Sequence, residues 1–236
     1  MNLILDLDGT LVNGFYNVDN NNIFSIIERP FLSVFFKFVF ANFKNVSVWT
    51  HGSQEWFNIC YTKILKRFIP FGKSFHFVIT SDHGFSPNLV EKDLRKVYIR
   101  HNEYNRSNTF IVDDTPITYR LNRENAIPIK SYTGDYFNQC YYGGGSDYEF
   151  LNIMVFFKKY VFKQPTPQVV ISKNVNMNTN TNTDNLIEDL EEYDLENSEE
   201  MNKVELRDTQ NANAALTKEE INTLLKSTHT TVRINI

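Results

Sequence analysis

Over its first two thirds the chain alternates short apolar runs with amphipathic stretches, and after that the alternation stops. Asn2 to Leu7 is an apolar run closing in acids and reads as a first strand. Arg29-Pro30 is followed by Phe31, Phe35, Val39 and Phe43 at spacing four, which predicts a helix with proline near its first turn. Val46 to Trp49 is a second strand. Ser53 can cap a helix running to about Phe68, ahead of Pro70 and Gly72. Phe75, Phe77 and Ile79 alternate with His76 and Val78 as a third strand. Thr109 to Val112 and Ala126 to Ile129 read as a fourth and a fifth. Ser146-Asp147-Tyr148-Glu149 is a capping box opening a helix through Phe150, Ile153, Phe156, Phe157 and Tyr160. Strands alternating with helices predict an α/β fold, a parallel sheet of about five strands flanked by helices. Such sheets bind ligands beyond the carboxyl ends of their strands.

Gln164-Pro165-Thr166-Pro167 reads as a linker. Beyond it come an Asn/Thr tract over 174–185, an acidic run over 188–200 and a short amphipathic segment from Thr217. Charge divides at the same place. Residues 1–163 carry 18 basic and 15 acidic side chains (+3), and residues 164–236 carry 6 and 13 (−7), together the overall −4. The expected organisation is a folded domain over 1–163 and a low-complexity, acidic, mostly disordered tail over 164–236, its charge run a solvated surface. A hydrophobic fraction of 42%, with 20 Phe and 12 Tyr, supplies ample material for a core. No apolar run reaches the ~18 residues of a membrane span, since Phe31–Phe43 is broken by Lys37 and Asn42. The opening MNLILDLDGT lacks the basic start of a signal peptide. Cys60 and Cys140 suggest no disulfide framework. The expectation is a soluble intracellular protein, cytoplasmic or nuclear, with no membrane partner, and a core charge of +3 argues against nucleic acid as one.

The chemistry lies at the expected strand ends. Strand one closes in Asp6-Leu7-Asp8-Gly9-Thr10-Leu11. Carboxylates two residues apart project to one side of an extended chain, where unpaired they would repel and raise each other's pKa. A hard cation relieves that conflict, and Mg²⁺ takes one or two carboxylates plus phosphate oxygens. Gly9 permits a sharp turn. Strand two ends in Thr50, a hydroxyl suited to a phosphate oxygen, and strand four in Asp113-Asp114-Thr115-Pro116, a second acidic pair. Lys92, upstream of strand four, can neutralise phosphate charge. An Asp-x-Asp pair alone is an ordinary acidic turn. The ordered set of four on strand ends is much more specific.

Leu5 to Leu11, Thr50, Lys92 and Asp113-Asp114 resemble the four motifs of the haloacid dehalogenase superfamily. Arg29-Pro30, Lys92-Asp93-Leu94, Val112 to Pro116, Asn125 to Ile129 and Ser146-Asp147 are similar to the FCP/SCP class, phosphatases of the RNA polymerase II C-terminal domain. The resemblance spans roughly 1–162 and implies a Rossmann-like sheet with strand one between strands four and two, and a minimal cap or none. It also implies a phosphoric monoester hydrolase. Asp6 would be the covalent nucleophile and Asp8 the acid and base, with Thr50 and Lys92 on the transferring oxygens. Mg²⁺ would be held by Asp6, the Asp8 carbonyl and Asp114, with Asp113 orienting Lys92 or the metal shell. The implied partner is a phosphorylated protein bearing phosphoserine or phosphothreonine. Small phosphate esters, nucleic-acid 3′ ends and a non-catalytic binding module on the same fold are the alternatives.

The chain also departs from that pattern. Phe31 stands where the family has glycine after Arg-Pro, and His51-Gly52-Ser53-Gln54 replaces its usual small-residue run. Between Lys92 and Asp113 there are about five residues more than the family pattern has, in the polar stretch Arg100 to Asn108, which makes Lys96 the reserve for the phosphate-binding lysine. The short stretch Ser81–Glu91 suggests an open site. His51 and His76 read as a loop residue and a strand residue, and Gly143-Gly144-Gly145 as a loop without nucleotide chemistry.

Overall fold

The structure is a computed structural model and describes residues 1–17, 23–83, 90–134, 147–162 and 231–235. The linker, the Asn/Thr tract, the acidic run, the Thr217 segment, Gly143–Gly145, Cys140 and Ser146 lie outside them, as do residues 84–89 of the Ser81–Glu91 stretch.

Five strands form one parallel sheet in the order β5-β4-β1-β6-β7. They are β1 (Asn2–Leu5), β4 (Asn45–Trp49), β5 (Val78–Ile79), β6 (Thr109–Asp113) and β7 (Ala126–Pro128). The central β1 is buried on both faces, which explains its unbroken apolar run. Its Leu3 and Leu5 enter one core with Phe110, Val112, Val46 and Val48, and Ile4 enters a second with Trp49, Ile79 and Ile111. Helices α1 (Leu32–Asn42) and α2 (Gln54–Lys63) cover the first face with α4 (Glu149–Phe156), which continues as a π-helical turn through Val161. Phe35 of α1 stacks on Phe150 of α4 at 4.2 Å between centroids. Helix α3 (Arg95–Arg100) brings Val97 to the second core.

Several predicted elements change in extent. The helix expected from Ser53 to Phe68 ends at Lys63, and a 3₁₀ turn over Leu65–Arg67 replaces its last part. Ser53 does cap it, its hydroxyl accepting from Trp56 N at 3.1 Å, while Asp82 accepts from Gln54 N at 2.6 Å. Only Val78–Ile79 is regular strand in the Phe75–Ile79 run, although His76 N and Phe77 O still bond to β4. At the start of α4 the Asp147 carboxylate accepts from Glu149 N at 3.1 Å.

Strands β2 (Val12–Asn17) and β3 (Ile23–Glu28) form an antiparallel hairpin between β1 and α1 that the sequence reading passed over. β8 (Thr231–Asn235) pairs antiparallel with β3, giving a second, three-stranded sheet.

After β3, Phe31 adopts φ 64°, the left-handed conformation that glycine tolerates best. The family's glycine at this point therefore has a backbone reason. Here an aromatic residue sits there, its ring against Tyr148 at 5.8 Å.

Arg29 is the polar keystone of the hairpin's return. It is 0% exposed, and its Nη1 donates to the carbonyls of Gly9 (3.1 Å) and Thr10 (3.2 Å). Nη2 donates to Lys130 O at 2.5 Å, and Nε to Asp147 Oδ2 at 3.0 Å. The guanidinium lies between the rings of Tyr132 and Phe150. Removing one partner of such a buried pair costs about 3–5 kcal/mol. Arg29→Met is expected to lower stability by about that amount, and Arg29→Lys to recover little because an ammonium lacks the planar fork. Urea unfolding midpoints of the three proteins measure this.

Candidate active site

The loop after β1 is wound tightly. Gly9 N donates to Val12 O at 2.9 Å, and Leu11 N and Val12 N both donate to Leu7 O. Gly9 has φ +73°, and a Cβ there would lie 2.5 Å from Asp114 Oδ2 and 2.9 Å from Ser131 Oγ. Glycine is needed on both counts.

This turn delivers Asp6 to the carboxyl end of the sheet at 6% exposure. Its Oδ1 accepts from Lys92 Nζ at 2.5 Å and its Oδ2 from Thr10 Oγ1 at 3.1 Å. Lys92 is 1% exposed and also donates to Asp113 Oδ2 at 2.6 Å. Its backbone is fixed by Lys92 N to Thr118 O (2.6 Å) and Asn122 Nδ2 to Lys92 O (2.5 Å). Lys92 therefore makes the buried contacts to Asp6 and Asp113, and Lys96 sits a turn onward in α3. Between Lys92 and β6 the chain forms α3 and the connection behind it.

Burial carries the Asp6 carboxyl up to about 7; Lys92 pulls it down and Asp113 pushes it up. Burial also opposes the Lys92 charge, but Asp6 and Asp113 prevail and raise its pKa. The three groups behave as one buried charged cluster.

Asp8 faces outward at the mouth of the site. Trp56 Nε1 donates to its Oδ1 at 2.6 Å, and Thr50 Oγ1 to its Oδ2 at 3.2 Å. Loss of water raises its pKa, and the bonds from Trp56 and Thr50 oppose the rise. Thr50, buried at the end of β4, also accepts from Gly52 N at 2.9 Å. A Cβ on Gly52 would come within 2.6 Å of the Trp56 ring. The unusual His51-Gly52-Ser53-Gln54 segment thus admits an indole to Asp8. Trp56 escaped the sequence reading because a tryptophan in a helix reads as packing; the only signal was a glycine next to a strand end. His51, in the same loop, has its pKa lowered by burial and then by Lys92, so it stands near the site.

Asp113 is 1% exposed, with Oδ1 accepting from Thr115 N at 2.9 Å. Asp114 is half-buried, its Oδ1 contacting Thr115 Oγ1 at 3.3 Å. Oxygens of Asp6, Asp113 and Asp114 all lie within 4.8 Å of one another. This is a convergent set of hard oxygen donors, which suits Mg²⁺ or a similar cation. Both oxygens of Asp6 accept, from Lys92 and Thr10, and both oxygens of Asp113, from Lys92 and Thr115, whereas Asp114 meets Thr115 Oγ1 through Oδ1. The Asp8 carboxylate is turned instead to Trp56 and Thr50.

The family model for NLI interacting factor-like phosphatases matches residues 1–166. The chain belongs to that family. A "Probable C-terminal domain small phosphatase" of Dictyostelium discoideum is 29% identical over 148 residues, covering 56% of this chain and 44% of the relative. The chain thus spans less than half the length of that relative. Among solved structures, the fission yeast RNA polymerase II CTD phosphatase Fcp1 bound to beryllium fluoride overlaps with a TM-score of 0.41 at 20% identity. That match covers 63% of this chain and 44% of the other. A structure of Fcp1, an essential RNA polymerase II CTD phosphatase, gives 0.42 at 16% identity, over 95% and 60% of the two chains. No helix among the described residues is long and apolar enough to cross a membrane.

Proposed function

We propose that the chain hydrolyses phosphoserine and phosphothreonine esters of intracellular proteins through an aspartyl-phosphate on Asp6. The observation that carries this reading is the Asp6 environment. A carboxylate held by Lys92 on one oxygen and Thr10 on the other is buried, oriented and paired with a cation at a strand end. Asp6 attacks phosphorus, forming its O–P bond as the ester P–O bond breaks. Asp8, at the mouth, gives its proton to the departing seryl or threonyl oxygen. It then takes a proton from the water that attacks the phosphoenzyme, which frees Asp6 and inorganic phosphate. Thr50 orients Asp8 and reaches the phosphoryl oxygens, and Lys92 balances the charge that collects on them. Phosphatases of this kind are generally metal dependent. A bound Mg²⁺, held by Asp6, Asp114 and the Asp8 carbonyl, would supply further positive charge to those oxygens.

Hydrolysis of phosphopeptides, sugar phosphates and 3′-phosphorylated oligonucleotides, compared in Mg²⁺, tests the substrate class. Preference for phosphopeptides supports the proposal, and preference for either other class overturns that part of it. Chelation by EDTA is expected to abolish turnover and Mg²⁺ to restore it. Ca²⁺ should suppress it, because a larger, less demanding shell draws a second Asp6 oxygen away from attack. Asp114→Asn should raise the Mg²⁺ concentration for half-maximal rate about tenfold or more. Full activity in EDTA would refute the metal assignment.

Residues 1–163 are proposed as the catalytic unit. A chain ending at Lys163 loses β8 and uncovers one edge of β3, while every residue of the five-stranded sheet remains. Its expected activity on an aryl phosphate equals that of the full chain. Loss of cooperative unfolding or of that activity would move the boundary.

A further inference from the structure

A second group of side chains of metal-ligating type lies at the opposite end of the sheet. His76 N donates to Val46 O at 2.8 Å, near the start of β4, and Asn2 Nδ2, at the start of β1, donates to Glu103 O at 2.8 Å. The candidate active site is at the other ends of these strands, so the two groups are separated by the length of β1. One ligand atom each from His76, His101 and Glu103 lies within 4.8 Å of the other two. His76 Nε2 and Glu103 Oε1 are 3.0 Å apart.

The surroundings of these three residues hold them in place. His76 Nδ1 is 3.1 Å from Tyr104 Oη, which is 2.8 Å from Ser47 Oγ. Tyr104 is 1% exposed. An ion bound at His76 Nε2 would leave Nδ1–H to donate to the Tyr104 hydroxyl, and that hydroxyl to donate to Ser47. A carbonyl, carboxylate or hydroxyl on the far ring nitrogen is the usual support of a metal-bound histidine. The His76 ring stacks on Tyr104 at 5.6 Å and 24°, and the His101 ring on Phe77 at 4.5 Å and 18°. Backbones are fixed as well. His101 N bonds Val97 O at 2.9 Å, and Glu103 O accepts from both Asn2 and Asn108 side chains.

We propose that His76, His101 and Glu103 form a site for a divalent transition metal, Zn²⁺ above all, with the remaining coordination position open to water. Two imidazoles and a carboxylate are a common zinc donor set, and imidazole nitrogens discriminate against Mg²⁺. Bound there, the ion ties the entry to the edge strand β5 to the α3–β6 connection. The length of β1 separates it from the candidate active site, so binding there is independent of the phosphatase chemistry.

The test uses the full-length chain, stripped with a chelator that is then removed, and titrated with Co²⁺ or Zn²⁺ in excess Mg²⁺. One equivalent of Co²⁺ is expected to bind with the visible absorption of a low-coordinate nitrogen and oxygen site, and Zn²⁺ should raise the melting temperature and displace it. His76→Ala and His101→Ala should each weaken binding at least about 10-fold, and Tyr104→Phe about 10-fold through loss of the supporting hydroxyl. Asp114→Asn should leave binding unchanged. The side chains of His76 and Glu103 are about one third exposed, so Glu103→Gln and His76→Ala should fold normally. No stoichiometric binding would reduce the cluster to a His76–Glu103 ion pair and overturn the proposal. So would binding that survives the histidine variants and disappears in Asp114→Asn.

Discussion

Asp6→Asn is expected to lower turnover by about 10⁴-fold or more, the largest effect of any single substitution, with little change in stability. An amide oxygen can still accept from Lys92 Nζ, now 2.5 Å from Asp6 Oδ1, and the amide group can still meet Thr10, so the turn persists. What disappears is the carboxylate proposed to form the acyl phosphate. Asp8→Asn should lose about 10²–10⁴-fold, the usual worth of a positioned acid and base. The two variants separate by their intermediates. After acid quench, mass spectrometry should find phosphate on the Asp6 peptide in Asp8→Asn, where breakdown lacks its base, and none in Asp6→Asn. Near wild-type hydrolysis by Asp6→Asn would end the covalent mechanism.

The parallel sheet and the acidic strand ends could be read from the chain because their signals are local. An apolar run buried on both faces, as in Asn2–Leu5, looks like a strand wherever it occurs. The hairpin was missed for an equally physical reason. Val-Asn-Gly-Phe-Tyr-Asn of β2 mixes glycine and asparagine into a strand, and its stability comes from pairing with β3. Ile-Phe-Ser-Ile-Ile-Glu of β3 has strong strand character, but it runs straight into Arg29-Pro30 and was absorbed into the approach to α1. Three side chains that hold others in place carried no local mark of that contact. Trp56 reaches Asp8 across 48 positions of sequence, Arg29 reaches Asp147 across 118, and Tyr104 reaches Ser47 across 57. Contacts of that kind depend on the sheet order, which spacing alone does not encode. Phe31 shows the reverse case. Its departure from the family pattern is visible in the sequence, but the backbone constraint behind it, a positive φ, appears only in the structure.

Lys92→Met is expected to be the most destabilising substitution in the site as well as an inactivating one. The methionine fills the volume of the stem but leaves Asp6 and Asp113, both nearly inaccessible, without the cation that lies 2.5 and 2.6 Å from their oxygens. Stranding buried charge in this way costs about 3–5 kcal/mol. The pH dependence distinguishes this cause from a packing defect. Burial already carries the folded-state pKa of Asp6 to about 7 while Lys92 opposes the rise, so removing Lys92 drives it higher. A carboxyl whose folded pKa exceeds its unfolded value of about 3.9 adds stability below that value and loses it as pH rises through the folded pKa. Lys92, with a raised pKa of its own, contributes fully across the same range and loses its contribution only above about 10.4. The stability gap between wild type and Lys92→Met should therefore be smallest near pH 5 and widen toward pH 8. Adding Asp113→Asn should narrow it at pH 8 by removing one stranded carboxylate. Lys96→Met serves as the control and should stay within about 0.5 kcal/mol of wild type, as a substitution outside the cluster. Urea unfolding at the two pH values decides the matter, and a gap of equal size at both would show that Lys92 acts by packing rather than by charge.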